Sequence, residues 1–440
     1  MYTLTYSVKR LLRLLANSYS FAVLVLFFCV ADQALGHAGL LPASPTLLCL
    51  LLLSPFGIHL FISHCVDTRT PGPLSVIAGN ATVLGPLALI ALCALALSML
   101  PGTHWDEGGK WVFLIPYGAC IVCVATLAGQ HTITSSVLRG SILCSLVLMA
   151  YSVWYDTAHP GTFAPITNRA AGFAGNANFA ALVAVLLCAA GLHFGDAPCP
   201  LQHNRPIVWS HNRFLSLHRK WPAPAIVLIN SLLLLVTFAI ICMTMSRSGI
   251  INFAVLVALF LFYRLCRSDL SPQHRSLELL LLVVATLAAL SFLVAFSHLS
   301  SSTQGNSRLT RLLNNQRVDD GSAGTRMDAL REGLNLIEAS PLVGHGTGFA
   351  RTMSELPHNI YIQQWVNNGL VGLLLYVGLI ITAFFTFIHR RSRNGIALIV
   401  VTAVGGIFSH NILDQRPFLI LLGLLLGISA RDSSQNAGSS

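Results

Sequence analysis

The sequence predicts an all-α polytopic membrane protein with about 12 transmembrane helices and one long polar loop on its outer side. Three observations predict it. Of the 440 residues, 54% are hydrophobic and 10% charged, whereas soluble domains carry about 25% charged residues. The mean hydropathy is +0.70, which demands an apolar solvent. Apolar runs long enough to cross a bilayer, about 20 helical residues each, recur from one end of the chain to the other.

In order, the runs fall near 18–36, 44–64, 80–100, 111–129, 138–156, 177–194, 223–245, 249–263, 277–298, 360–388, 395–412 and 416–430. The short ones at 249–263 and 416–430 are expected to tilt or to be partly re-entrant. Lys9, Arg10 and Arg13 precede the first run, which has no small-residue cleavage site, so the sequence predicts that it stays as a span. With the N-terminus inside, 16 of the 26 Lys and Arg fall in cytoplasmic loops, among them Arg139, Arg264, Arg390 and Arg393. Six of the other ten lie in the one long loop, which the positive-inside rule discounts. The expected orientation in the inner membrane therefore has both termini cytoplasmic. The net charge of +10 is then read as loop charge, with membrane lipids and no nucleic acid as partners.

This gives transmembrane helices 1–9 over residues 1–298, a periplasmic loop over 299–358, helices 10–12 over 359–430 and a cytoplasmic tail over 431–440. The eleven cysteines form no framework. Cys120 and Cys123 make a CxxC inside an apolar run with no second ligand pair, so both are read as packing residues and no metal or cofactor is expected. The loop opens polar from Ser300 to Gly324 and is expected to be loosely packed there. From Arg326 to Ala339, Met327, Leu330, Leu334 and Ile337 are spaced as one face of an amphipathic helix. Ser340-Pro341 ends that helix, the turn Gly344-His345-Gly346-Thr347-Gly348 follows, and Pro357-His358-Asn359 leads into the tenth run.

Chemistry is expected at the outer face. Arg169, Arg247 and Arg416 each lie in a short outer loop, Arg416 two residues after Asp414, and the long loop adds Arg326 and Arg331. A guanidinium stays ionised and offers a planar fork that fits two phosphate oxygens. The alternative for each is snorkelling, or pairing with Asp156, Glu332 or Asp414. His358 stands where the loop meets a helix, with free N–H donors expected beside it, and an imidazole can take a proton from a hydroxyl near neutral pH. Its alternative role is an ordinary capping contact. His345 competes, but a turn between glycines positions a side chain poorly. The GxGxG there has no strand before it and no lysine after it, so it is read as a turn. A Walker loop, a GxSxG elbow, an HExxH and an outer DxD are all missing, which argues against ATP hydrolysis, serine hydrolysis and a metal-bound nucleotide-sugar site.

His358-Asn359, nine residues and then Gly369 resemble the histidine motif of the O-antigen ligases, a family within a superfamily that includes O-antigen polymerases and O-linked oligosaccharyltransferases. The stretch from Arg326 to Phe349, with Pro341-Leu342-Val343-Gly344, is similar to the segment leading into that motif. Ser246-Arg247-Ser248-Gly249 resembles the family's short arginine turn, and Arg169 with Gly175-Asn176-Ala177-Asn178 an earlier one. The resemblance covers most of residues 165–430. It implies a GT-C-like glycosyltransferase without metal or nucleotide, moving a glycan from undecaprenyl diphosphate to a sugar hydroxyl of the lipid A–core oligosaccharide. His358 would be the general base or would position the acceptor. Arg169, Arg247 and Arg326 would bind the diphosphate, with Asn359, Tyr361, Asn178, Arg331, Asp414 and Arg416 around them. Here Gly369-Leu370-Val371-Gly372 stands where some ligases have a threonine pair after the glycine, so polymerase and protein O-oligosaccharyltransferase remain alternatives. A lipid-linked-sugar transporter is the rival from another class; it would carry charge at mid-membrane and broken helices.

Overall fold

The computed structural model describes residues 77–97, 135–159, 161–163, 170–194, 223–265, 321–409, 412–413 and 416–437. Among them all regular structure is helical. The helices are α1 (Ala81–Leu97), α2 (Ser135–Ala158), α3 (Ala177–Gly191), α4 (Ala223–Thr244), α5 (Arg247–Leu265), α6 (Gly321–Ala339), α7 (Ile360–His389), α8 (Arg393–Gly406) and α9 (Arg416–Ala437), with 3-10 turns at Gly172–Ala174 and Phe349–Thr352. Eight of the twelve expected runs fall on described residues, and each coincides with a helix. The runs at 18–36, 44–64, 111–129 and 277–298 lie outside the described residues, as do Cys120 and Cys123. Val137–Ala158, Ala225–Thr244, Arg247–Arg264 and Ile360–His389 are long and apolar enough to cross a membrane, and four further apolar helices are shorter.

The core forms around α3. Its sequence is apolar on every side after Asn178, and a helix of that kind is buried all round; from Ala180 to Gly191 every residue is buried. Lipid supplies no hydrophobic drive between helices, so close van der Waals packing at small residues must hold them. A Cβ on Gly249 of α5 would sit 2.6 Å from the Ala181 Cβ, and one on Gly191 would sit 3.0 Å from Ile142 and 3.2 Å from Leu233. These contacts set α5, α2 and α4 tightly against α3.

One end of the bundle is closed by polar groups on helix carbonyls. The Asn394 amide donates to the carbonyls of Ala189, Ala190 and Leu192, and Arg393 donates to Phe194 O. Arg139 meets His193 Nδ1 at 2.9 Å. Arg390 donates to Asn80 Oδ1, Gly79 O and Leu426 O. The C-terminal carbonyls of a helix lack intrahelical partners, and cationic groups suit that end of its dipole.

At the other end α6 packs on α7. Its onset at Gly321 lies five residues before the expected one, so Gly321–Gly324 belong to a helix and not to a loosely packed stretch. The expected apolar stripe is also rotated. Met327 and Leu334 are exposed, while Ala329, Gly333 and Ile337 are buried. The reason is Gly333, where a Cβ would lie 2.9 Å from Ile362; this gap in side-chain volume draws α7 onto the 329–333–337 face.

Helix α7 breaks at Gly369, which has φ 64° and ψ −166°. Its two arms fold toward each other: the rings of Tyr361 and Tyr376 lie 5.3 Å apart, although a straight helix would separate fifteen residues by ~22 Å. The loop after α6 fills the break. His345 N donates to Val366 O, Gly346 N to Asn367 O, and Leu370 N to Pro341 O. Gly369 has no alternative here, because a Cβ would collide with the Leu342 carbonyl. Gly344 likewise has φ 75° and room only for hydrogen against Gly369 N and Asn367 O.

Candidate active site

His358 is placed by Asn359. The Asn359 side chain accepts from the N–H groups of Tyr361 and Ile362, in extended backbone at φ −149°. This is an N-cap, and Asn is among the residues best suited to it. The expectation of free N–H donors for an anion is corrected here, since the cap occupies two of them. The Tyr361 hydroxyl donates to Ala403 O at 2.8 Å, so it ties α7 to α8.

The imidazole of His358 is half-buried, and its pKa is held below the ordinary histidine value. Burial is the largest cause, the positive charge of Arg326 adds to it, and Glu355 opposes both. Arg326 therefore acts on His358 through its field, from an exposed position on α6. The effect is to keep the ring neutral and able to accept a proton at neutral pH.

Arg247 opens α5 and is exposed. The turn before it is built by Ser246, whose hydroxyl donates to Asn178 Oδ1 at 3.0 Å and accepts from Gly249 N at 3.1 Å. Met245 supports the reversal at φ 50°. Asn178 is itself held by an Asn cap, Asn176, which accepts from Asn178 N and Phe179 N. Thus Gly175-Asn176-Ala177-Asn178 works as turn, cap, helix start and tether.

The helices that begin at Arg247 and just after His358 both pack on the C-terminus of α8. A Cβ on Gly405 would lie 3.0 Å from Leu182 and 3.3 Å from Asn252, on the helix that Arg247 starts. A Cβ on Gly406 would lie 3.0 Å from Ile360 and 3.2 Å from Tyr361, immediately after the His358-Asn359 pair. Two adjacent glycines thus let α5 and α7 each pack closely on the end of α8, at one end of the bundle. That is the end opposite Arg139, Arg390 and Arg393.

The other expected residues divide. Arg331 is exposed and lies 3.7 Å from Asp328 on its own helix. Arg169 and Asp414 lie outside the described residues; Arg416 begins α9. Among the described residues, buried Asp156 accepts from Phe163 N and from Ala171 N and Gly172 N. Glu332, read from sequence as a possible arginine partner, instead accepts from the Ser354 hydroxyl at 2.7 Å, fixing the segment that leads to His358. His345 is structural: its Nε2 meets Leu336 O at 2.8 Å and its ring stacks on Phe349. Sequence reasoning missed the Gly405–Gly406 junction, for which the only signal was the glycine pair at the end of an apolar run.

The O-antigen ligase family model matches residues 232–377. The chain carries an O-antigen ligase domain. This domain runs from α4 through the first part of α7 and holds Arg247, Arg326, His358 and Gly369 within it. No curated protein matches the chain. The match spans a third of the chain, and among the described residues four helices are long and apolar enough to cross a membrane.

Proposed function

We propose that the protein is an O-antigen ligase that moves a glycan from undecaprenyl diphosphate to a sugar hydroxyl of lipid A–core oligosaccharide at the periplasmic face of the inner membrane. The observation that supports this reading is the junction at Gly405–Gly406, where α5 and the start of α7 both pack on the end of α8 within one end of the bundle. His358 takes the proton from the acceptor hydroxyl as that oxygen attacks the anomeric carbon, and the diphosphate leaves with inversion. Arg247 and Arg326, with Arg169, hold the phosphate charge that grows on the leaving group. Fixed guanidinium groups stabilise developing charge without reorganising, and a lipid diphosphate needs neither ATP nor a metal to become a leaving group. The membrane-facing orientation follows from loop charge, with both termini cytoplasmic.

The His358→Ala variant in cells making O-antigen tests the assignment. Transfer is expected to fall by about 10²–10⁴-fold, the range for losing a general base, and lipid-linked glycan to accumulate. Normal surface lipopolysaccharide would refute it. Purified protein given both lipid substrates and EDTA, without ATP, is expected to retain product formation.

A break in a helix would favour transport if its open backbone groups faced a substrate. At Gly369 the loop backbone fills them instead. The fitting distinction is therefore among acceptors. A lipid-linked glycan as the product's acceptor would identify a polymerase, and a protein serine an oligosaccharyltransferase.

A further inference from the structure

Leu342, 64% exposed, is the most open large apolar side chain among the described residues, and its neighbour Val343 is 53% exposed. They do not sit on a loose loop. Pro341 O accepts from Leu370 N and from the Trp365 indole N–H, each at 2.9 Å. The Ser340 hydroxyl donates to Gly344 O, and His345 N and Gly346 N donate to α7. The two aliphatic side chains are therefore held outward by the fold.

Their height on the bundle is defined by α7. The loop backbone lies against Gly369, where the second arm of α7 begins. From Leu370 to His389 that arm has 20 residues, ~30 Å at 1.5 Å per residue, which equals the hydrocarbon thickness of a bilayer. Arg390 and Asn80 bond to each other at its far end. Along this arm the exposed large residues are Val371, Leu374, Ile381 and Phe385, a single helical stripe that faces lipid. The backbone of Leu342 and Val343 lies against Gly369, so their exposed side chains stand at the level where this arm begins. Trp365, amphipathic and hydrogen-bonded at the same level, suits a membrane boundary.

We propose that the Pro341–Val343 loop is a lipid-inserting wedge: Leu342 and Val343 enter the bilayer at the outer hydrocarbon boundary and fix the height of the α6–α7 unit, and so of the His358 loop, on the membrane. The occupant of this surface is bilayer lipid. The inference rests on α7 crossing the membrane and not on the catalytic assignment.

The test places an environment-sensitive fluorescent amino acid at position 342, at 343 and, as a water-facing control, at Glu338 in the full-length protein. Each variant is reconstituted in nanodiscs of phosphatidylethanolamine and phosphatidylglycerol. Emission at 342 and 343 is expected to be blue-shifted relative to 338. Quenching by lipid carrying a nitroxide near the top of its acyl chain should be several-fold stronger there, and quenching by aqueous iodide several-fold weaker. Equal iodide quenching at 342, 343 and 338 would overturn the proposal. Position 343 gives an independent reading if the probe at 342 disturbs folding. Because the signal is position and not product, a failed wedge and a failed ligase assignment are distinguishable.

Discussion

The two ends of the bundle use arginine differently. At one end Arg390 and Arg393 donate to backbone carbonyls, and Arg393 is buried with its guanidinium over Tyr263. At the other, Arg247 and Arg326 are exposed, and the charge of Arg326 acts on half-buried His358. A guanidinium fixed on carbonyls is a staple whose hydrogen-bonding capacity is already engaged. Arg247 and Arg393 both begin a helix, where the dipole favours an anion; Arg393 is buried there, whereas Arg247 is exposed. Residue type alone does not separate these roles; location and partners do.

The contrast is broken or kept by one pair of variants. Arg247→Ala should lower transfer by about 10²–10³-fold, the scale of losing one preorganised charge donor, with the melting temperature unchanged. Arg393→Ala should do the reverse, destabilising the fold by about 1–3 kcal/mol because buried carbonyls lose their donor, with activity per folded molecule preserved. Similar loss of stability in both would erase the distinction. Thermal unfolding in detergent and transfer assays on the same samples provide the measurement.

Gly249→Ala sharpens it, because this glycine serves the fold and the site together. Its Cβ would press on Ala181, and overpacking of this kind costs about 1–3 kcal/mol. Melting should fall, and transfer should fall further than stability explains, since the start of α5 carries Arg247.

The pH profile tests the field around His358. Its folded pKa lies below the ordinary value of 6.5, so the neutral, active ring predominates above that pH and the acid limb of kcat/KM lies below it. Arg326→Gln removes a cause of lowering and should move that limb to higher pH. Glu355→Gln removes the opposing charge and should move it lower. The stability sign agrees: the unfolded ring binds its proton first, so stability present above the unfolded pKa is lost as pH falls toward the folded one. The smallest effect is expected for Arg331→Ala. Its ion pair with Asp328 is exposed, such pairs contribute about 0–1 kcal/mol, and transfer should stay near that of the wild type.

The helices were legible because a long apolar run leaves a chain few alternatives in lipid. The break in α7 was not, since hydropathy continues without interruption through Gly369-Leu370-Val371-Gly372 and does not register φ. The Asn359 cap could have been read from its residue type at a helix start; attention to the neighbouring histidine assigned those N–H groups to a ligand instead. The rotated face of α6 depended on Gly333 being opposite Ile362, a tertiary match that spacing within one helix cannot contain. The partition of arginines between ends was readable from loop charge, while their partners were not. Glu332 shows why: any of several cations lay within plausible reach, and its partner is a serine.

The filled break in α7 also bears on biogenesis. Backbone groups left open in hydrocarbon cost several kcal/mol each, so a helix interrupted at Gly369, where its spanning arm begins, would be poorly satisfied at the membrane boundary by itself. Its partners at Pro341, His345 and Gly346 lie upstream in the chain and leave the ribosome first. When α7 emerges, the segment that completes its interrupted ladder has already been made.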